Sequence, residues 1–347
     1  MTWDFHHADA DRPAAVAVIT EVGVNHDGDP RKAEHLVRAA ADAGADAVKF
    51  QLFRPDRLLS AEARLAAYQD GQADDAAALL DQLTLTVDEL RGLRDTAHAA
   101  NLAFVVTPFS PADADDLATI GVDAVKIASP DAVNPPLLDA AAALGRPVLV
   151  STGTCDLDEL DHAADVARAT GGALLHCVSA YPTPEPDAAL GGIAALRRRF
   201  PGVRVGYSDH TAALDTGALG VAAGACVLEK HLTHDRQAAG PDHAASVEPD
   251  GLQAYVAAVR RAAAMLGSIA KTCSDAERDV RDVSRQSVCL VADRPAGHRL
   301  TAADLTVKRP GSGVPARQRD VCVGRRLTRD VAGDRPLRPD DLDPPPA

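Results

Sequence analysis

Two histidines in this sequence are suited to holding a metal ion. His210 follows the predicted strand 204–207, and His231 ends the next predicted strand, 226–231. The ends of neighbouring parallel strands lie side by side, so the two imidazoles can approach each other across 21 positions of sequence. Two imidazoles without thiolates suit manganese, iron, cobalt or zinc, with water at the open positions, and such an ion can polarise a carbonyl. The alternative is that each histidine only forms structural hydrogen bonds.

A second set of residues combines two lysines with hydroxyl side chains, again at strand ends. Compact cations and hydroxyls that converge on one site favour a phosphate, or a ligand with both phosphate and carboxylate. The members of this set are Lys49, Thr107, Lys126, Ser129, Ser151 and Ser208. For each serine taken alone, capping a helix is the competing interpretation.

Short apolar runs that alternate with alanine-rich helical stretches place these residues in a fold. The predicted strands are 16–22, 47–51, 103–107, 124–128, 148–151, 173–178, 204–207 and 226–231. The predicted helices include 31–43, 87–100, 157–169, 190–200 and 251–266. Eight such units predict an α/β fold, a (β/α)8 TIM barrel, rather than an open dinucleotide-binding sheet, because no G-x-G-x-x-G opens the first helix. In a barrel, the strand ends that carry these polar groups form the active face.

Composition limits the partners. The 347 residues carry 36 basic and 50 acidic side chains, a net charge of −14, which argues against a nucleic-acid binder. No apolar stretch reaches the length of about 20 residues that crosses a bilayer, and residues 1–11 do not resemble a secretory signal. We therefore expect a cytoplasmic protein with no membrane partner, whose six widely spaced cysteines are reduced thiols.

The composition changes near the C-terminus. Residues 285–347 hold 12 basic and eight acidic side chains, a net charge of +4, and two short β-like runs, 287–292 and 305–308. The polar segment before them has no strand signal and is typical of a linker or an exposed helix. We predict a barrel domain over 1–267, a linker over 268–284 and a small β-rich domain over 285–347.

Segments spread over almost the whole chain carry a resemblance to a known family. In the barrel they are Glu21–Asp29, Gly44–Gln51, Thr107–Ser110, Lys126–Ser129, Ser151–Gly153, Leu175–Pro182, Gly206–Thr211, Glu229–Thr233 and Gly240–His243, and beyond it Val307–Gly311. In these segments the chain resembles the sialic acid (N-acetylneuraminate) synthase family, whose members condense phosphoenolpyruvate with N-acetylmannosamine or a related sugar. The last segment resembles the family's C-terminal antifreeze-like, or SAF, domain.

The resemblance implies a role for each matching residue. It implies that phosphoenolpyruvate is held by Lys49, Thr107, Lys126, Ser129, Ser151 and Ser208. It implies that His210 and His231 bind a divalent metal, usually Mn²⁺, with Mg²⁺ or Co²⁺ as alternatives. It implies that the N-acyl amino sugar is bound by Gln51, Ser179, Tyr181, Asp242 and Arg309. Arg309 would act from the partner subunit, because family members are homodimers that exchange SAF domains.

The implied reaction joins the enol carbon of phosphoenolpyruvate to the sugar aldehyde, and phosphate then leaves by C–O cleavage. The metal would polarise the aldehyde, and Lys49 and Lys126 would stabilise the phosphate charge. Glu21 or Asp131 would take the proton from the attacking water.

Two positions depart from the family pattern, both on the sugar side. Asp131 stands where some members have Glu, and Ser179 stands where bacterial members often have Asn. The acceptor is therefore less well indicated than the reaction, and a diacetamido sugar leading to legionaminic or pseudaminic acid is an alternative. Two functions outside this chemistry compete with it, namely a non-catalytic SAF-domain binding protein and a barrel lyase acting on pyruvate.

Overall fold

The computed structural model describes residues 16–60, 62, 76–267 and 270–344. The chain forms two compact units, Met1–Ile269 and Ala270–Ala347. The polar segment 268–284, predicted as a linker, therefore falls largely in the second unit. Among the described residues, no helix has the length and apolar character needed to cross a membrane.

The first unit is built on eight parallel strands that close into a barrel in sequence order, β1 pairing with both β2 and β8. The strands are β1 (Ala17–Gly23), β2 (Ala47–Leu52), β3 (Ala103–Pro108), β4 (Ala124–Ile127), β5 (Val148–Ser151), β6 (Ala173–Cys177), β7 (Arg204–Asp209) and β8 (Val227–His231). The predicted (β/α)8 barrel is confirmed, because each predicted strand is present with ends that differ by at most two residues.

Helices follow the strands around the barrel. They are α1 (Pro30–Asp42), α2 (Pro55–Leu58), α3 (Ala76–Gln82), α4 (Val87–Ala99), α5 (Pro111–Ile120), α6 (Pro135–Ala143), α7 (Asp161–Thr170), α8 (Gly191–Arg199), α9 (Thr216–Ala223) and α10 (Pro249–Leu266). The predicted start of one helix at Leu157 is wrong: Leu157–Glu159 forms a separate 3₁₀ turn, and α7 begins only at Asp161.

Local sequence explains where these helices begin and end. The Ser110 side chain accepts a hydrogen bond from the backbone N–H of Asp113, and Pro111 occupies the first turn of α5, where a missing N–H costs nothing. Gly121 ends α5 in the left-handed conformation with φ of 79°. A capping box between Thr86 and Glu89 starts α4 in a similar way.

The barrel interior is layered. Its lower layer is apolar and consists of Ile19, Ala47, Ala103, Val105, Ala124, Leu149, Ala173, Leu175, Cys226 and Val227, with Ala17 beside them. Side chains two residues apart on a strand point to the same face, so the next inward position lies closer to the carboxyl end. At that position the apolar residues of β1, β2, β4 and β8 give way to Glu21, Lys49, Lys126 and Glu229. The strands thus bring four charged side chains together directly above the apolar layer of the barrel interior.

The second unit is small and has its own core. It contains α11 (Arg278–Ser284), β9 (Ser287–Leu290), β10 (Leu305–Lys308) and α12 (Arg319–Cys322), with β9 and β10 antiparallel. The predicted run 287–292 is thus a strand only to Leu290. Its core comprises Val288, Leu290, Leu300, Leu305, Val314, Cys322, Leu327, Val331, Leu337 and Leu342.

Candidate active site

A cavity of about 240 Å³ opens at the carboxyl ends of the barrel strands. The predicted site residues among its lining are Glu21, Lys49, Gln51, Thr107, Lys126, Ser129, Ser151, Tyr181, Ser208, His210, His231 and Asp242. These residues come from the barrel strands and the loops that follow them, so the fold gathers groups separated by more than 200 positions of sequence. The grouping at the active face of a barrel is that of a ligand site.

Two lysines and two glutamates form a charged quartet at the base of the cavity. Lys49 Nζ lies 2.8 Å from Glu21 Oε1 and 4.0 Å from Glu229 Oε2. Lys126 Nζ lies 3.8 Å from the same Glu229 oxygen. All four side chains are at least 95 % buried. Each buried lysine has a glutamate of opposite charge beside it, and this attraction offsets the free-energy cost of removing the ions from water.

Hydroxyl groups complete the surroundings of the two lysines. Lys49 Nζ donates to Thr107 Oγ1 at 3.1 Å, and Lys126 Nζ donates to Ser151 Oγ at 2.6 Å. Ser208 Oγ donates to Glu229 Oε1 at 2.9 Å. Together, the lysine cations and the hydroxyl groups at the bottom of the cavity can form hydrogen bonds to the oxygens of a phosphate or a carboxylate.

Burial and neighbouring charge set the proton affinities of the quartet in opposite directions. Burial raises the pKa of Glu21, although Lys49 opposes it. Burial acts the same way on Glu229, but Lys126 and Lys49 outweigh it and hold the pKa of Glu229 below its usual value. Burial lowers the pKa of Lys126, whereas the pKa of Lys49 is raised because the two glutamates outweigh burial. Glu21 is therefore the carboxyl group of this quartet best suited to exchange a proton.

Both glutamates keep one oxygen without a hydrogen-bond partner. Within the described residues, Oε2 of Glu21 and Oε2 of Glu229 are buried and accept no hydrogen bond. Buried polar atoms are rarely left unpaired, and such atoms in a cavity indicate a place for a ligand, water or ion. The sequence patterns did not single out Glu229. The signal that could have found it is its place two positions before His231, on the same face of β8.

The two predicted metal-binding histidines are adjacent, with ring centroids 5.3 Å apart. His210 Nδ1 donates to the carbonyl oxygen of Val178 at 2.8 Å, which leaves Nε2 as the nitrogen with a lone pair. His231 Nδ1 is buried without a hydrogen-bond partner in the described residues. Burial, helped by the charge of Lys49, holds the pKa of His231 well below its usual value, so this imidazole is neutral.

These features fit a divalent ion with an incomplete protein shell. In the part of the chain that the structure describes, no group of three or more His, Cys, Asp and Glu side chains is arranged to hold a metal. An ion bound here would therefore have two imidazoles as its protein ligands and would take its remaining ligands from water or substrate. An open shell of that kind is what catalytic metal sites require.

The residues predicted to face the sugar surround the histidines. The ring of Tyr181 lies 4.2 Å from that of His210, and Asp242 Oδ2 lies 3.8 Å from His231 Nδ1. Gln51 Nε2 donates to Glu21 Oε1 at 3.0 Å. Burial raises the pKa of Asp242. This side of the cavity offers hydrogen-bond donors and acceptors next to the imidazole pair, as a polyhydroxylated ligand requires.

Three predicted residues do not line the cavity. Asp131 accepts a hydrogen bond from Asn134, and burial raises its pKa. Ser179 Oγ is buried. It packs so closely against Gly153 that a Cβ added there would come within 2.3 Å of it. Arg309 is exposed in the second unit. The structure thus gathers most, but not all, of the predicted set.

Comparison with known proteins gives one family. The chain matches the NeuB family over residues 36–271 and the SAF domain over residues 285–343. It is 37% identical to the N,N'-diacetyllegionaminic acid synthase of Legionella pneumophila over 92% of each chain. It is 35% identical to the protein of the same name from Campylobacter jejuni, over 92% of this chain and 98% of the relative.

A solved structure of a relative has the same fold. The N-acetylneuraminic acid synthetase of Leptospira borgpetersenii, crystallised with citrate, superposes with a TM-score of 0.69 at 34% identity. The superposition covers 77% of this chain and 90% of that one. The family match extends over more than half of the chain, and the relatives match nearly all of it. The chain belongs to the NeuB family.

Proposed function

We propose that the chain is a sialic acid synthase-like transferase that condenses phosphoenolpyruvate with the open-chain aldehyde of an N-acyl amino sugar such as N-acetylmannosamine. The observation that carries this proposal is the pair of buried lysines, Lys49 and Lys126, set among hydroxyls beside two adjacent imidazoles in one cavity. The lysines suit the phosphate and carboxylate of the donor, and the imidazole side suits the acceptor. A non-catalytic binding role loses support, because the charged quartet is buried and has unpaired oxygens facing a cavity.

The residues divide the reaction between them. The enol carbon of the donor forms a bond to the aldehyde carbon, water adds to the adjacent carbon, and phosphate leaves with cleavage of its C–O bond. Lys49 and Lys126 hold the phosphate charge throughout. Glu21 accepts the proton of the attacking water, since its Oε2 has no hydrogen-bond partner and burial raises its pKa, which makes it a stronger base than an ordinary carboxylate.

A divalent ion on His210 and His231 is part of the proposal. We expect Mn²⁺, with Mg²⁺ or Co²⁺ as substitutes. Bound there, it would supply Lewis-acid polarisation of the aldehyde oxygen. Two observations support this assignment. Nδ1 of His231 has no hydrogen-bond partner in the described residues, and the bond from Nδ1 of His210 to Val178 leaves the lone pair on Nε2. A domain-exchanging homodimer, with Arg309 serving the partner's sugar site, is proposed from the resemblance alone, and a cytoplasmic location from the sequence features given above.

A diacetamido sugar is the second candidate for the acceptor. One wall of the cavity is apolar and includes Phe53, Leu58, Leu80, Leu83 and Phe109. A second N-acetyl group would place a methyl group against such a wall, where burial of apolar surface favours binding. The two synthases named above, at 37% and 35% identity, are named for the diacetylated product that they make.

The test is a panel of N-acetylated and diacetamido hexoses offered with phosphoenolpyruvate, with phosphate release and product mass as readouts. We expect phosphate release only when both an amino-sugar aldehyde and a divalent ion are present. His210→Ala should lose at least about 1,000-fold in rate and should bind Mn²⁺ more weakly in a direct titration, because one of two protein ligands is gone.

The controls separate folding from chemistry. Circular dichroism should show that His210→Ala folds as the wild type does. Phosphate release that needs no sugar would contradict the proposed reaction. Undiminished turnover in excess chelator, or wild-type Mn²⁺ affinity in His210→Ala, would contradict the metal assignment.

A further inference from the structure

We propose that Asp27 and His243 are positioning residues that fix the loop carrying Asp242, and so determine how tightly the amino sugar is held. The inference rests on the proposed function, because it assigns to Asp242 a contact with the acceptor. Neither Asp27 nor His243 lines the cavity. Their effect must therefore pass through the backbone next to Asp242.

The Asp27–His243 pair joins two loops that lie 216 positions apart in sequence. Asp27 lies in the turn after β1, and His243 in the loop after β8. His243 is fully buried, and its Nε2 lies 2.8 Å from Asp27 Oδ1. A carboxylate can only accept, so Nε2 carries the proton. Lys32 Nζ donates to the other oxygen of Asp27 at 2.7 Å.

Both nitrogens of the His243 ring are used. Nδ1 pairs with Thr233 Oγ1 at 2.7 Å, at the start of the same loop. The ring also lies against Gly240, where an added Cβ would come within 2.6 Å of Cδ2. The ring therefore fixes the loop on both sides of Asp242, and an alanine at position 240 would collide with it.

A second connection runs beside the first. Asn25 Nδ2 donates to Ser246 Oγ at 2.8 Å and to the carbonyl oxygen of Leu232 at 2.8 Å. Ser246 Oγ in turn donates to the carbonyl oxygen of Asp242 at 2.6 Å. The Asn25–Ser246 pair thus holds the Asp242 peptide itself. Asn25 and Asp27 are two residues apart, so one turn after β1 anchors the loop at two points.

Such anchoring matters because functional loops need a rigid support. Side chains that bind substrate must be held to within about 0.5 Å, and hydrogen bonds from neighbouring segments supply that rigidity. Asp242 is 92% buried and faces the acceptor side of the cavity. Loss of the Asp27–His243 pair should therefore weaken sugar binding. The donor residues on β2, β4, β5 and β7 keep their own supports, so donor binding should be retained.

The barrel supplies a matched control at its opposite end. His98 Nε2 lies 2.7 Å from Asp123 Oδ2, joining the end of α4 to the residue before β4. This pair has the same chemistry and a similar distance, but it lies at the amino ends of the strands. A change to it tests the cost of losing a partly buried histidine–carboxylate bond without touching the loops of the site.

The experiment uses the full-length chain. In Asp27→Ala and His243→Phe, we expect the KM for the amino sugar that the wild type turns over to rise at least tenfold, while the KM for phosphoenolpyruvate stays within twofold. His243→Gln, which keeps an N–H donor, should recover part of the loss. His98→Phe should leave both KM values unchanged.

Hydrogen exchange measured by mass spectrometry gives a readout that needs no activity. Asp27→Ala should speed exchange in segment 234–247, and His98→Phe should speed it near α4 and β4 instead. Unchanged exchange in 234–247, or equal changes in the two KM values, would overturn the inference. If the wild type turns over no sugar of the panel, the proposed function fails, and the exchange data alone decide whether the pair fixes the loop.

Discussion

Buried carboxylates occur in both units of the chain, and they differ in how completely they are paired. Glu21 and Glu229 in the barrel line the cavity, and each has one side-chain oxygen that accepts no hydrogen bond from the described residues. In the second unit, Asp304 Oδ2 accepts from the N–H and the hydroxyl of Thr301, and its Oδ1 accepts from Arg294 Nε at 2.8 Å. The difference teaches that the buried glutamates of the cavity keep an oxygen open to a ligand, whereas a structural carboxylate uses both of its oxygens.

The pKa values of Glu21 and Asp304 also shift in opposite directions, whereas Lys126 and Lys49 lower the pKa of Glu229 despite its burial. Burial dominates at Glu21 and raises its pKa. At Asp304 the hydrogen bonds from Thr301 dominate and hold the pKa far below its usual range. Glu21 thus takes up a proton more readily than an ordinary carboxylate does, whereas Asp304 resists protonation.

Among these carboxylates, the largest effect should come from Glu21→Gln. We expect kcat to fall about 100-fold or more, because an amide of the same shape cannot accept the proton of water. The melting temperature should fall as well, since neutralising Glu21 leaves the buried quartet with an uncompensated positive charge. Steady-state phosphate release, with thermal unfolding alongside, measures both. A variant that keeps wild-type kcat would show that Glu21 is not the reactive acid.

A smaller effect, on stability alone, should follow Asp304→Asn. Losing this capping carboxylate should lower the free energy of unfolding of the second unit by about 1–2 kcal/mol at pH 7. Calorimetry of the full chain, compared with the exposed-site variant Asp330→Asn, measures the loss. If the two variants lost equal stability, complete pairing would carry no structural benefit.

The smallest effect is the pH dependence of that loss. The folded-state pKa of Asp304 lies below its unfolded value, so its contribution is present above about pH 4 and declines as the pH falls further. The stability gap between wild type and Asp304→Asn should therefore narrow below about pH 4. Unfolding by denaturant at several pH values follows the gap, and a gap of constant size would contradict the assigned cause.

Much of the barrel could be predicted because its signal is local. Each strand is a short apolar run, and the polar residues follow at its carboxyl end. Helix α9 shows where local signals fail, since Gly217 and Gly220 disfavour a helix. The reason for them is tertiary: a Cβ at Gly217 would come within 2.3 Å of the Tyr255 ring, and one at Gly220 within 3.1 Å of Tyr207.

Part of the site could also be predicted from local sequence signals. Residue type and strand position indicated Lys49, Lys126 and the two histidines. Spacing on β8 places Glu229 on the same face as His231, but its role also depends on its distances to lysines on β2 and β4, which that spacing does not give. The hydrogen bond between Asp27 and His243 is likewise invisible without the closed barrel, because its two ends come from the first and last strand loops.

The charged quartet has one more consequence. Two lysines and two glutamates sum to zero, and the chain around them carries a net charge of −14. A neutral quartet at the base of the cavity exerts no long-range attraction on an anion, whereas the acidic chain as a whole repels one. Capture of a phosphate ester must then depend on short-range exchange of hydrogen bonds after a diffusive encounter, and added salt should raise the association rate by screening the repulsion.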